Sequence, residues 1–413
     1  MLFRSVGAAG FALTVRAMPE RPDVVVAGCG ATAFGAFRDG STPRDWVRRA
    51  AHEALDDAGI AARDVEALVV ASESDFFSLQ LAPGPLLADE VGVVPCSVMR
   101  VEMGGGSGAA AVRAGFMHIR SGLHRCVLVI GFEHAASHLS GDDMRMLYGL
   151  SFDADIDGMA GASAANLYAL SIAEHMRLLG TTEAQLAAVS VKNHGNAMAN
   201  PGAHKPMAIN VADVLASRPV CTPYKLLDCS MISDGAAAIV LTSADVPRER
   251  TRPRVRIAGS GCASDYVRLG DRAEPHRFHG KTLSGRAAYA MAGIETPAQQ
   301  IDVAELYDAY SGAELQGIEA LGLAAEGEAG AALEAGDFAR DGRLPVNLSG
   351  GLIGQGGAPG ATGVMQIVTL TRLLQGRYWP ALQPDRLLRT GLADAHGGIA
   401  TVSVTQVLQR CDD

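Results

Sequence analysis

The chain has 413 residues, 48% hydrophobic and 19% charged, so it can bury a large core, either as two or three domains or as one domain built of two halves. A formal net charge of −10, no Lys/Arg block and only 5% aromatic residues argue against a nucleic-acid partner. No apolar run reaches the ~18 residues that a membrane span requires.

Residues 1–23 imitate a signal peptide, with Arg4, a short apolar stretch and then Ala17. The segment from Val24 onward reads as a cytosolic strand, so residues 1–23 are expected to be an N-terminal extension of a cytoplasmic protein, with Met18 a candidate start. The seven cysteines (Cys29, Cys96, Cys126, Cys221, Cys229, Cys262 and Cys411) show no CxxC pair and no Cys/His ligand spacing. They read as reduced thiols, and no metal site is expected.

Val24 to Gly28 is a buried β-run ended by glycines. A helix comes next, over Pro43 to Gly59, with Trp46, Ala50, Ala54 and Ala58 at helical spacing and Gly59 as C-cap. Another β-run spans Ala67 to Ala71, and the alternation argues α/β layering. Gly104 to Gly108 opens a small-residue helix over Ala109 to Ile119, succeeded by a strand from Cys126 to Gly131. Late in the chain Gly350-Gly351 and Gly360 to Gly363 open a similar helix towards Leu374. One such entry per half suggests internal duplication, with small residues letting two helices approach closely; two unrelated Gly-rich turns are the alternative. These signals divide the chain into a first half over 24–250 and a second over 251–413, with an insertion at about 135–215. The insertion is expected to hold one helix, Ala164 to Leu179, and a polar loop from Lys192 to Asn196.

Five strings in order resemble the thiolase superfamily, in its sterol-carrier-protein-type and lipid-transfer-protein-like branch. They are Lys192 to Pro201, Ser233 to Ala238, Glu305 to Tyr310, Glu319 to Leu323, and Asn347 to Gly363. The resemblance covers Val24 to Leu408. It implies a five-layered αβαβα thiolase fold of two similar halves, an inserted loop region over coenzyme A, a homodimer, and a reaction centre where two helix N-termini meet. Coenzyme A is then part of the substrate, and no tightly bound cofactor is expected. Asn193 and His194 would lie on the CoA-facing loop, with Ser107, Gly351 and Gly356 at the Gly-rich entries. Read alone, His194 is a solvated loop histidine and Ser107 a helix cap.

The departures from the family fall at its reactive positions. Aligning Ser107-Gly108 with the family's Cys-Ala-Ser-Gly puts Gly105 at the nucleophile, and Gly357 replaces the histidine of Gly-His-Pro. The family's His-Asp-Ala-Phe reads Tyr307-Asp308-Ala309-Tyr310, and His396 falls near the second catalytic cysteine. A covalent acyl-enzyme on cysteine is therefore disfavoured, unless Cys29, Cys96 or Cys126 reaches the centre. The Tyr-Asp pair is similar to a subgroup that cleaves CoA-thioester side chains by retro-aldol reaction with a small zinc-ribbon/OB-fold partner. In that reading Tyr307 is the acid, His396 the base and Asp308 an orienter. The bland readings are that Tyr307 and Tyr310 pack, that His396 is a satisfied histidine by a Gly turn, that Cys221 and Cys229 fill small apolar gaps, and that Asp234 sets a turn. Two alternatives to the lyase stay open: a C-acyltransferase subunit of a multi-protein complex, and an inactive thiolase-fold scaffold.

Overall fold

The computed structural model describes residues 22–247 and 252–412, so the expectations for residues 1–21 lie outside the described residues. Eleven strands are described: β1 (Val24–Ala31), β2 (Ala67–Ala71), β3 (Ser97–Val101), β4 (Cys126–Glu133), β5 (Pro219–Cys221), β6 (Tyr224–Lys225), β7 (Gly235–Ser243), β8 (Arg254–Ser264), β9 (Val303–Glu305), β10 (Thr390–Gly397) and β11 (Val402–Cys411). Apart from the β5–β6 hairpin they form one ladder, β3-β2-β4-β7-β1-β8-β11-β10-β9.

That order is a repeat read outward from its middle. In the first half β2 and β4 are parallel, while β7 is antiparallel to β4 and to β1. In the second half β9 and β10 are parallel, while β11 is antiparallel to β10 and to β8. A parallel bridge between Ala304 and Val346 stands where the first half has β3 beside β2. The halves meet through the pairs Val24–Ile257 and Val25–Arg256 of β1 and β8. Duplication, inferred from two Gly-rich entries, is thus carried by the whole strand order.

Helices complete the αβαβα layering. Pro43–Ala58 covers the outer face of the first half, with Trp46, Ala50 and Ala54 buried and Gly59 in the left-handed conformation at φ +66°. His279–Ala292 covers the second half, against β8 and β11. Between the halves lie Ser107–Arg120 and Pro359–Leu374, the latter buried on all sides as a central-layer helix must be. They cross where Gly108 and Gly363 leave no room for side chains. A β-carbon on Gly108 would come within 2.7 Å of the Gly360 carbonyl oxygen, and one on Gly363 would overlap the Ala109 nitrogen.

The insertion is more helical than its composition predicts. Beyond the expected helix Ala164–Leu179 it holds Gly141–Gly149, Glu183–Ala197 and Val211–Ala216. The polar loop expected at Lys192 to Asn196 is the last turns of Glu183–Ala197. Asn, His and Gly disfavour helix, but tertiary partners hold them there: Asn193 bonds Asp308 and Glu314, His194 bonds the Lys205 carbonyl, and Asn196 bonds the Asn347 carbonyl. Among the described residues no helix is long and apolar enough to cross a membrane.

Candidate active site

The N-terminal ends of the two central helices open on a cavity of about 500 Å³. Its walls include Gly105 and Glu73 from the first half, Tyr307, Tyr310 and His396 from the second, and Tyr168 from the insertion. Tyr307 and His396, far apart in sequence, stand with ring centroids 4.6 Å apart.

Gly105 and Tyr307 share one volume. A β-carbon on Gly105 would overlap the Tyr307 hydroxyl oxygen, lie 3.0 Å from its Cζ and 2.8 Å from the His396 carbonyl oxygen. The phenol fills the space into which a side chain at position 105 would project. Burial first, then the Glu73 carboxyl, pushes the Tyr307 hydroxyl above the ordinary tyrosine value, so it is a protonated group at the cavity wall.

His396 sits at the end of β10 and is 1% exposed. Its Nε2 lies 2.5 Å from the Tyr168 hydroxyl oxygen, which is also 2.8 Å from the Gly398 carbonyl. The carbonyl can only accept, so the Tyr168 proton goes there and the hydroxyl oxygen accepts from Nε2–H. This arrangement leaves Nδ1, buried and without a hydrogen-bond partner, as a bare lone pair. Burial first, then the charges of Lys281 and Arg272, hold the His396 pKa well below the ordinary value, so the ring is neutral. Lys281 itself is fully buried and paired with Asp394.

Asp308 points away from the cavity. It accepts hydrogen bonds from the backbone N–H of Leu352 at 2.6 Å and of Ile353 at 3.2 Å, and from Asn193 Nδ2 at 2.8 Å. Asn193 also donates to Glu314, as does Asn347, and Lys192 pairs with the same carboxylate at 3.0 Å. This interior network anchors the turn at Gly350-Gly351, where Gly351 has φ +58° and a β-carbon would overlap Asp308.

Of the residues assigned to CoA by resemblance, Ser107, Gly351 and Gly356 stand at the Gly-rich entries, while Asn193 and His194 lie in a helix rather than a loop. Asn193 and His194 are buried in a helix, Asn193 in the Asp308 network, and neither lines the cavity. Ser107 is fully buried, accepting from Met103 N–H at 2.9 Å and donating to the Gly104 carbonyl at 2.6 Å, which makes it a turn clamp. Gly356, at φ +110°, leaves room for Ser233 and His204, while its neighbour Gly357 lines the cavity. Tyr310 and Cys221 pack against the core as read, and together with Cys229 they also line the cavity; burial pushes the Cys229 thiol up to about 12. Asp234 is a turn device, accepting the backbone N–H of Ala135, Ala136 and Ser137. Cys29 and Cys126 are buried on strands β1 and β4, and Cys96 precedes β3; none of the three lines the cavity.

Glu73 and Tyr168 were missed by sequence reasoning. Glu73 comes after β2 in the string Ser72-Glu73-Ser74, which carries no spacing signal, and Tyr168 occupies one turn of an ordinary-looking helix. Among the described residues no group of three or more His, Cys, Asp or Glu side chains is placed to hold a metal ion.

Comparison with known proteins shows the family and the fold. The families "Thiolase, N-terminal domain" and "Thiolase C-terminal domain-like" match residues 24–209 and 261–410. An acetyl-CoA acetyltransferase of Methanothermobacter thermautotrophicus is 38% identical over 86% of this chain and 91% of its own length. Sterol carrier protein 2 of Oryctolagus cuniculus is 29% identical over 95% of this chain and 73% of its own length. A solved chain of the Ltp2–ChsH2(DUF35) aldolase superposes with a TM-score of 0.80 at 26% identity, covering 94% of this chain and 98% of that one.

Proposed function

Since the chain belongs to the thiolase family yet holds a phenol where the family's nucleophilic side chain would begin, we propose that it is a cysteine-independent acyl-CoA carbon–carbon lyase. The substrate class is a β-hydroxyacyl-CoA, and the reaction a retro-aldol cleavage. One observation carries the reading: the Tyr307 hydroxyl lies within overlap distance of where a β-carbon of residue 105 would stand.

The chemistry arises from the charge states at the cavity. His396 Nδ1 takes the proton of the β-hydroxyl, and the oxygen's electrons form the new carbonyl as the Cα–Cβ bond breaks. The bond's electron pair becomes the thioester enolate, and Tyr307 gives its proton to Cα. An enolate carbon is far more basic than a phenolate, so even a raised tyrosine pKa leaves that transfer downhill. His396 then returns its proton to the Tyr307 oxygen, and both groups are neutral again. The positive dipole ends at the helix entries favour the negative oxygen. Asp308 and its network fix the turn beside this centre and take no proton.

The likeness to the Ltp2–ChsH2(DUF35) aldolase supports a small zinc-ribbon/OB-fold partner. A second copy of the chain fits the edge strand β3, whose outer ladder has no partner among the described residues, with Phe76, Leu79 and Met99 exposed beside it. The acetyltransferase name of a 38% identical relative favours a second reading, C-acyl transfer within a multi-protein complex. The test is to incubate the protein, with and without the partner, with a β-hydroxyacyl-CoA and track products by mass spectrometry. Aldehyde or ketone plus the shortened acyl-CoA, lost in Tyr307→Phe, is the expected result. Acyl transfer to an added carbon acceptor without cleavage would favour the second reading. CoA-ester binding with no turnover would mark a scaffold.

A further inference from the structure

One carboxyl at the cavity has no part in the proton transfers above. Glu73 Oε2 is buried and without a hydrogen-bond partner, on a residue that lines the cavity together with Gly105, Tyr307 and His396. Its Oε1 lies 3.8 Å from where a β-carbon on Gly104 would stand, at the entry of the first central helix. Behind it Glu133, fully buried, accepts the backbone N–H of Glu73 at 2.8 Å and of Gly360 at 3.0 Å through Oε2, while Oε1 has no partner. Glu133 thus reaches the backbone of Glu73, and the charge of one carboxyl disfavours charge on the other.

Resting on the lyase reading, we propose that Glu73 is a further catalytic residue, whose carboxylic-acid form donates a hydrogen bond to the thioester oxygen as that oxygen becomes an enolate. It would thereby do the work left vacant at Gly357. Glu73 keeps its proton throughout, so the balance of the reaction is unchanged: the β-hydroxyl proton reaches His396, the Tyr307 proton reaches Cα, and His396 restores Tyr307.

The surroundings keep that proton in place. Glu133 faces Glu73 from β4, Glu102 from the turn after β3, Tyr148 from the helix Gly141–Gly149, and Tyr307 from the turn after β9. Arg100 of β3 is engaged by Asp75 at 2.5 Å and by the Ser72 carbonyl at 3.1 Å. Burial first, then Glu133 and Glu102, pushes the Glu73 carboxyl well above the usual range. A preorganised donor aimed at developing charge is worth roughly 100- to 1,000-fold in kcat.

The test compares pH–rate profiles of the protein with its partner and of its Glu73→Gln and Glu73→Ala variants, with melting temperatures as a check on folding. The unaltered protein should lose kcat at alkaline pH as Glu73 ionises. Glu73→Gln, whose amide donates at every pH, should retain most of the neutral-pH rate and lose that alkaline limb. Glu73→Ala should lose roughly 100- to 1,000-fold in kcat with little change in KM. A folded Glu73→Gln as slow as Glu73→Ala, or a Glu73→Ala near the unaltered rate, would overturn the assignment. If the unaltered protein yields no cleavage products, the lyase reading has failed, and exchange of acyl-CoA α-protons into D2O reads Glu73 separately. That exchange needs the same enolate but no β-hydroxyl. Exchange kept in Glu73→Gln and lost in Glu73→Ala supports the donor; exchange indifferent to both, or absent from the unaltered protein, refutes it.

Discussion

The hydroxyl of Tyr307 lies within overlap distance of where the β-carbon of residue 105 would stand, so the phenol in this position and a side chain at 105 exclude each other. The two residues come from opposite halves and meet only because the helix entry and the segment after β9 converge at the centre. Glycine at 105 thus leaves tyrosine at 307 its place.

Gly105→Ala should therefore destabilise the protein by about 1–3 kcal/mol, the usual range for overpacking. The cost should be smaller in a Tyr307→Phe background, because the overlapping oxygen is gone, although the His396 carbonyl at 2.8 Å remains. A double-mutant cycle by chemical denaturation measures the coupling; additive penalties would mean that Tyr307 moves aside freely.

Tyr307→Phe removes the proton donor and little else. Turnover should fall by roughly 100- to 10,000-fold, the span typical of a positioned acid or base, while calorimetry shows unchanged affinity for an acyl-CoA. Undiminished turnover would remove Tyr307 from the reaction.

Tyr168→Phe takes away the acceptor of the His396 Nε2 proton. The tautomer is then no longer fixed, and kcat should drop by about 10-fold or more with KM nearly constant. Nitrogen-15 NMR of the His396 ring reads the cause directly: an Nε2–H signal in the unaltered protein, and mixed tautomers in the variant.

Asp308→Ala strands two backbone N–H groups and the Asn193 amide in the interior. A loss of about 3 kcal/mol or more is expected, read as a large fall in melting temperature. A variant that keeps its melting temperature but not its turnover would instead make Asp308 a reacting group.

Stability should also depend on pH through Glu133. Burial raises its carboxyl to about 8 in the folded protein, so the folded state binds more protons than the unfolded one between the ordinary carboxylate range and that value. This group therefore costs stability as pH rises from about 5 to about 8, and adds no further change above. Glu133→Gln should melt with a flatter dependence across that window; identical slopes would place the shift elsewhere.

Much of the fold could be read locally. The helix over Pro43–Ala58 declares itself by Ala spacing and its Gly59 cap, and β2 by an unbroken apolar run, because short-range sterics and periodic burial fix both. The helix ending in Lys192 to Ala197 was illegible, since its polar residues are stabilised by Asp308, Glu314 and carbonyls supplied from distant segments. The same long-range pairing buries Asn193 and His194 in the helix and brings Tyr310, Cys221 and Cys229 to the cavity.

By itself, the sequence determined that this chain has the thiolase fold and carries glycine at 105 with no cysteine in that Gly-rich entry, because motif order and residue identity are properties of the string. Only the tertiary structure decided that Tyr307 fills that glycine's space, that Tyr168 sets the His396 tautomer, and that Glu133 holds the backbone of Glu73 at the cavity. Volume exclusion, proton placement and desolvation depend on which distant residues meet, and no local pattern records that.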